Sequence, residues 1–323
     1  MILKGLVEVF NMEKNSKIYV AGHKGLVGSA LIRVLRSKGF RNLITVEHAE
    51  LDLRNQSQTE GFFKKSRPEY VFLSAAKVGG IKANYERPAE FIYDNTMIEA
   101  NIIHSSYVCG VKKLLFLGSS CIYPKFSEQP IREEYLLTGE LEATNESYAI
   151  AKILGIKMCQ SFRKQYGVNY ISAMPTNLYG YNDNFHPENS HVLPALIRRF
   201  YESKRDNKND IVLWGSGEPY REFLFADDLA EACVFLMLNY DSNEPINVGT
   251  GVDLKICDLA KIIKKIVGYE GRIVWDSSKP DGTFRKLLDV SRIRALGWQY
   301  ETEIEKGIQL TYDWFINSKW IKS

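Results

Sequence analysis

Cysteine is scarce and scattered in this sequence. There are five, Cys109, Cys121, Cys159, Cys233 and Cys257, and none belongs to a C-x-x-C pair. That spacing argues against a zinc site and a disulfide framework and suits a reducing cytoplasm. Long apolar runs are missing, so no stretch reaches the length of a membrane span. An excess of one charge is missing too: 42 basic against 39 acidic residues leave a formal charge of +3, and no basic run points to nucleic acid. There is no internal repeat and no low-complexity tract. The opening residues, Met1 to Lys14, are too mixed for a signal peptide; residues 1–16 read as a loose extension, with Met12 as an alternative start.

The 323 residues, 45% of them hydrophobic and 25% charged, suffice for one large or two medium globular domains. Short apolar runs at 17–21, 43–46, 70–73, 114–117 and 170–174 read as strands. Helical spacing at 26–37, 59–65, 88–107 and 146–166 fills the gaps between them. This alternation predicts an α/β fold, a Rossmann-type doubly wound parallel sheet with helices on both faces. After Pro175 the pattern breaks into Asn-, Pro- and Gly-rich loops between single helices. The expectation is therefore a dinucleotide-binding domain over 17–175, with 226–250 returning to its sheet. A smaller irregular α/β lobe over 176–225 and 251–323 would bind substrate.

Gly22-His23-Lys24-Gly25-Leu26-Val27-Gly28 stands between the first strand and the first helix. The first glycine permits a tight turn, the second lets the backbone approach a pyrophosphate, and the third lets the helix pack on the strand. The helix N-terminus then offers free N–H groups to the phosphates. A glycine-rich turn with no ligand is the plain alternative, and the strand–turn–helix context argues against it. The residues leave the dinucleotide open. Glu47 beyond the second strand favours an NAD ribose, whereas His48 and Lys24 favour the extra phosphate of NADP; Asp52 could face the adenine end or be a surface acid.

Tyr148-Ala149-Ile150-Ala151-Lys152 places a phenol and an ammonium on one helical face. A cation beside the phenol would lower its pKa from about 10. Gly118-Ser119-Ser120 follows the fourth strand at its carboxyl end, where open α/β sheets bind ligands. Taken alone, a Y-x-x-x-K spacing is common by chance. With Ser119 and the glycine fingerprint it resembles the short-chain dehydrogenase/reductases, whose extended branch works on nucleotide sugars.

Longer blocks narrow the resemblance. Ala75 to Ile81, Gly118 to Pro124, Pro175 to Gly180, Asp183 to Pro187, Asn189-Ser190-His191-Val192, Trp214 to Gly217, Arg221 to Leu224, Asn247 to Gly251 and Lys279 to Thr283 are similar to the GDP-L-fucose synthase family, from about Lys17 to near Trp314. The resemblance implies conversion of GDP-4-keto-6-deoxy-D-mannose to GDP-L-fucose with NADP(H), by C3/C5 epimerisation and C4 reduction. It implies Ser119, Tyr148 and Lys152 as the reducing set, Cys121 as epimerisation base and His191 as acid. Leu117, Gly118, Ser119, Ser120, Lys152, Pro175, Thr176, Asn177, Leu178 and His191 would join residues 22–28 around the cofactor. Arg199, Trp214, Arg221, Asp281 and Lys286 would hold the GDP-sugar. It also implies a homodimer through the helices at 88–107 and 146–166. No metal is expected: His186 and His191, with Glu188 between them, have no ligand spacing. Where relatives often carry arginine, this chain has Val46-Glu47-His48 and Lys24. Two rivals stand beside this reading: another extended-family 4-epimerase or dehydratase with recycled NAD, and a non-catalytic dinucleotide sensor.

Overall fold

The computed structural model describes residues 12–279 and 281–322. Most of the expected extension, residues 1–11, lies outside the described residues; Met12 is buried in the main core. The first half alternates β1 (Ile18–Ala21), α1 (Leu26–Ser37), β2 (Leu43–Ile44), α2 (Gln56–Ser66), β3 (Tyr70–Leu73), α3 (Ile81–Glu86), α4 (Pro88–Val108), β4 (Lys113–Leu117), α5 (Glu146–Tyr166) and β5 (Asn169–Pro175). The second half contains β6 (Asn177–Tyr179), α6 (Val192–Arg205), β7 (Asp210–Trp214), β8 (Tyr220–Phe225), α7 (Ala226–Asn239), β9 (Ile246–Val248), β10 (Asp253–Lys255), α8 (Ile256–Val267), β11 (Arg272–Asp276), β12 (Arg285–Lys286), α9 (Ser291–Ala295) and α10 (Ile304–Asn317).

Six strands pair in parallel in the order β2-β1-β3-β4-β5-β9. β1, β3 and β4 are buried along their whole length, as strands covered on both faces must be. The winding reverses at β1: the chain steps one way to β2 and the other way to β3 and β4. Right-handed crossovers therefore send α1 to one face and α4 and α5 to the other. In keeping with that, α1 packs on α7, and α4 packs on α5 and α2. The architecture is a Rossmann-type α/β fold. The carboxyl ends of β1 and β3 flank the switch point, where such sheets open a crevice.

A charged residue sits inside one of these apolar strands. Lys113 at the start of β4 is wholly buried. Its ammonium donates to the carbonyls of Leu236, Met237 and Tyr240 at 3.2, 2.8 and 2.7 Å. It thus satisfies the Met237 and Tyr240 carbonyls at the C-terminus of α7 and shares Leu236 with the Tyr240 amide; burial pulls its pKa down to about 8.

The stretch after Pro175 carries more strand than its loop-rich sequence predicts. β8 pairs with β6 and β12 in parallel and with β10 antiparallel, while β7 and β11 form a separate parallel pair. A second apolar cluster gathers Phe185, Leu196, Phe200, Leu213, Ile263 and Phe315. Leu288, Val290, Ile293 and Trp298 pack instead into the main core. Among the described residues no helix is long and apolar enough to cross a membrane.

Candidate active site

The glycine turn leaves β1 at the switch point. Gly22 has φ +82°, and a Cβ there would lie 2.8 Å from Ala75 Cα. A Cβ on Gly28 would overlap the Gly22 carbonyl. Gly25 differs. Its φ is −75° and it caps α1, so its backbone would tolerate a side chain. A Cβ there meets only the Gly22 carbonyl oxygen, at 3.5 Å, and would project into open space before the helix. Ser29 N–H makes the first helical bond, to Gly25. The amides of Leu26, Val27 and Gly28 thus have no helical acceptor, and the first turn carries no acid. A pyrophosphate fits this cradle. His23 is half-buried beside it. Lys24 is ion-paired with Glu47 at the surface. Asp52 is held by Arg54, at 2.8–3.2 Å, which keeps its carboxyl at about 2.

Past the end of β4, Ser119 caps a single turn of 3-10 helix over Ser120–Ile122, and its hydroxyl accepts from the Cys121 amide at 3.2 Å. Gly118 lies against Met174, its amide donating to the Ala173 carbonyl at 2.9 Å. Tyr123 secures the turn by donating to Asn247 Oδ1 at 2.6 Å. Tyr148 and Lys152 come from the N-terminal half of α5. The Ser119 side chain hydrogen-bonds the Tyr148 phenol, and Lys152 Nζ stands 5.9 Å from the Tyr148 ring centroid. The three side chains therefore converge.

Their electrostatics differ from the sequence expectation. Burial pushes the Tyr148 phenol well above its ordinary range; Cys121 and Glu99 add to the rise, and only the Ser119 hydrogen bond opposes it. The Lys152 ammonium is committed elsewhere, to the Leu117 carbonyl at 3.0 Å and to Glu99 Oε1 at 3.1 Å. In this state Tyr148 is an acid that keeps its proton.

Cys121 faces two cations. Lys286 Nζ lies 4.0 Å from its sulfur. Arg221, whose pKa burial lowers, feels the same thiol and Asp281. Asp281 itself is engaged: its two oxygens accept from the Ser216 amide and hydroxyl at 2.6 and 2.8 Å. Trp214 is 62% exposed, with the Arg199 guanidinium 5.4 Å and the Lys279 ammonium 5.8 Å from its ring. This exposed, cation-flanked indole offers a stacking surface for a base or sugar.

Pro175 to Leu178 is pinned beneath the cleft. Thr176 N–H donates to Val248, and Asn177 Nδ2 donates to the Glu222 carbonyl at 2.8 Å. His191 caps α6 without using its side chain. The loop before it docks on the Gly79-Gly80 turn, where the Gly80 amide donates to Asn189 at 3.3 Å. Phe91 borders that turn and meets the Tyr148 ring edge-on at 6.4 Å. His191 keeps solvent exposure, yet the surrounding protein desolvates it enough to lower its pKa; half-buried Tyr148 shows the same crowding without coverage. Both are marks of a cleft. His186 turns to its own loop, accepting from the Glu188 amide at 3.2 Å.

Three participants escaped the sequence reading. Lys279 stands in a block whose resemblance singles out Asp281 alone. Glu222, next to Arg221, is wholly buried and accepts from Gly251 and Leu288 amides at 2.7 and 3.0 Å. Glu99 is the third acid of α4, after Glu90 and Asp94, and its place one turn before the buried pair Ile102 and Ile103 was its only signal.

A dinucleotide cradle and a Ser–Tyr–Lys set at the switch point mark an oxidoreductase of the extended short-chain dehydrogenase/reductase type. The chain belongs to the NAD dependent epimerase/dehydratase family, whose model matches residues 18–249. Within that family it is similar over nearly its full length to GDP-L-fucose synthases. It is 59% identical to a putative GDP-L-fucose synthase 2 of Arabidopsis thaliana, covering 96% of this chain and 94% of the relative. It is 54% identical to the GDP-L-fucose synthase of Escherichia coli (strain K12), covering 94% and 97%. Among solved structures, a GDP-mannoheptose C4 reductase from Campylobacter jejuni with NADP bound matches with a TM-score of 0.88. It is 42% identical, and the match covers 94% of this chain and 99% of that one.

Proposed function

We propose that this protein converts GDP-4-keto-6-deoxy-D-mannose to GDP-L-fucose, inverting C3 and C5 and then reducing the C4 ketone with NADPH. One arrangement carries the proposal: Ser119, Tyr148 and Cys121 share one wall of the cleft, with Lys286 4.0 Å from the thiol. A simple C4 reductase has no use for the thiol. The fucose synthases it resembles add the substrate class, and the NADP-bound reductase adds the cofactor.

Residues 22–28 would hold the pyrophosphate of NADP(H), and Ser119, Tyr148, Lys152 and the Pro175–Leu178 stretch would receive its nicotinamide end. When bound, it supplies the hydride that reduces C4. Lys24 exchanges Glu47 for the 2′-phosphate. The GDP end meets Arg199, Trp214 and Lys279, and the sugar reaches past Arg221 and Lys286 to Cys121.

Ser119 and Tyr148 donate hydrogen bonds to the C4 oxygen, which acidifies the C3 and C5 hydrogens by stabilising an enolate. Cys121, as thiolate, takes the proton from one face. His191, as imidazolium, returns one to the other. A thiol beside a neutral imidazole holds the same number of protons as a thiolate beside an imidazolium, so the pair becomes active without drawing a proton from solvent. In the final step Tyr148 gives its proton to the C4 oxygen, so that reduction there ends in the alcohol.

Two copies associate through α4 and α5, which expose Tyr93, Ile150 and Leu154 on adjoining faces. Five unpaired cysteines suit the cytoplasm. The direct test is incubation with the keto sugar and either reduced cofactor in deuterated water. GDP-L-fucose labelled at C3 and C5, formed with one NADPH consumed per product, is the expected result. Turnover without net cofactor consumption would sink the proposal.

A further inference from the structure

The least expected group in the molecule is the carboxylate of Glu99. It has no solvent exposure, and neither of its oxygens finds a hydrogen-bond partner of good geometry. Its contact is the Lys152 ammonium at 3.1 Å, itself 97% hidden. Gly155, one turn beyond Lys152, makes room for it: a Cβ there would fall 2.6 Å from Glu99 Oε2 and overlap Phe116. Burying an ion pair offers little net stability, so the arrangement needs a reason other than holding the fold.

We propose that Glu99 is the positioning residue for Lys152: it fixes the ammonium beneath the Leu117 carbonyl and neutralises its charge, so that Tyr148 stays protonated until hydride arrives. Burial raises the Glu99 pKa to about 7, with Lys152 opposing the rise. The titratable groups facing the pair are Tyr148 and Cys159 from α5, with Cys121 behind Tyr148 from the turn after β4. With the negative charge removed, the uncompensated Lys152 ammonium lowers the Tyr148 pKa. That moves the alkaline limb of the reduction profile downward.

The role rests on the proposed reduction, so product formation is verified first; without GDP-L-fucose from wild type, that reading fails rather than this one. The experiment records kcat against pH for wild type, Glu99→Gln and Glu99→Leu, with melting and NADPH titration as checks of folding. The expected result is an alkaline limb lowered by about 1 unit or more, with little change in NADPH affinity. In a Lys152→Met background, Glu99→Gln should change nothing further. A folded variant whose activity drops equally at all pH values, with its limb unmoved, would overturn the role. So would failure of both Glu99 variants to fold while Lys152→Met folds, because Glu99 would then serve the fold alone.

Discussion

The proposed mechanism puts the chemistry on Tyr148, whose surroundings set its state. The phenol is desolvated, hydrogen-bonded to Ser119 and screened from Lys152 by the Glu99 pair. Tyr148→Phe removes the proton donor but little volume. Reduction of the keto sugar should fall by about 10²–10⁴-fold while NADPH titration gives an affinity within about threefold of wild type; undiminished reduction would contradict the assignment. Asp183 offers a separate test. It is 5% exposed, accepts from the Asn184 amide at 2.7 Å and leaves its other oxygen unpartnered. Burial raises its pKa to about 7. The folded state therefore holds this proton more tightly than the unfolded chain, and the stability tied to it is lost as pH rises toward and through 7. Asp183→Asn does not titrate. Between pH 5 and pH 8 it should gain roughly 2 kcal/mol on wild type in urea denaturation; a constant difference would show that Asp183 does not titrate there.

At the scale of elements, long helices and buried strands were legible where one signal dominated. α1 and α5 run over the expected residues because their apolar spacing is unbroken and glycine, in the left-handed conformation after α5, ends that helix. β4 begins one residue earlier than expected: a lysine looks like a boundary until the α7 carbonyls that receive it are known. β6, β8 and β12 were illegible, being two to six residues long and paired with partners tens of residues away. The site shows the same division. Gly22–Gly28, Ser119, Tyr148 and Lys152 announce themselves by local spacing. Glu99 and Glu222 do not, since burial and partnership are set by other segments. The α1 cradle gives an element-level prediction. Gly25→Arg would fill the space before the helix without straining its backbone, so NADPH binding, followed by its fluorescence, should weaken by about 100-fold or more; unchanged affinity would place the pyrophosphate elsewhere.

For the whole molecule, the functional surface lies where two apolar clusters meet. The large sheet supplies the cradle, Ser119 and Tyr148. The cluster around Phe200 and Ile263 supports α6, which carries Arg199, and β7, which carries Trp214. Exposed apolar side chains on α4 and α5 lie on helices that do not line the Trp214 end of the cleft, leaving them available to a second copy. Leu154→Glu puts a charge on that face, where Leu154 is 38% exposed. Sedimentation should show dimerisation weakened by about tenfold or more; an unchanged dimer would move the interface to another surface.

Glu222 has a consequence for the order in which the protein can be made. Its carboxylate joins the amides of Gly251 and Leu288, and β12 must lie beside β8 to bring Lys286 toward Cys121. Every strand of the large sheet has been synthesised by Val248, but this tie needs residues some forty positions further on. On the ribosome, the strands of the large sheet can therefore pair first, but the main core and the wall beside Cys121 both close only when Leu288 to Trp298, in the last tenth or so of the chain, have emerged.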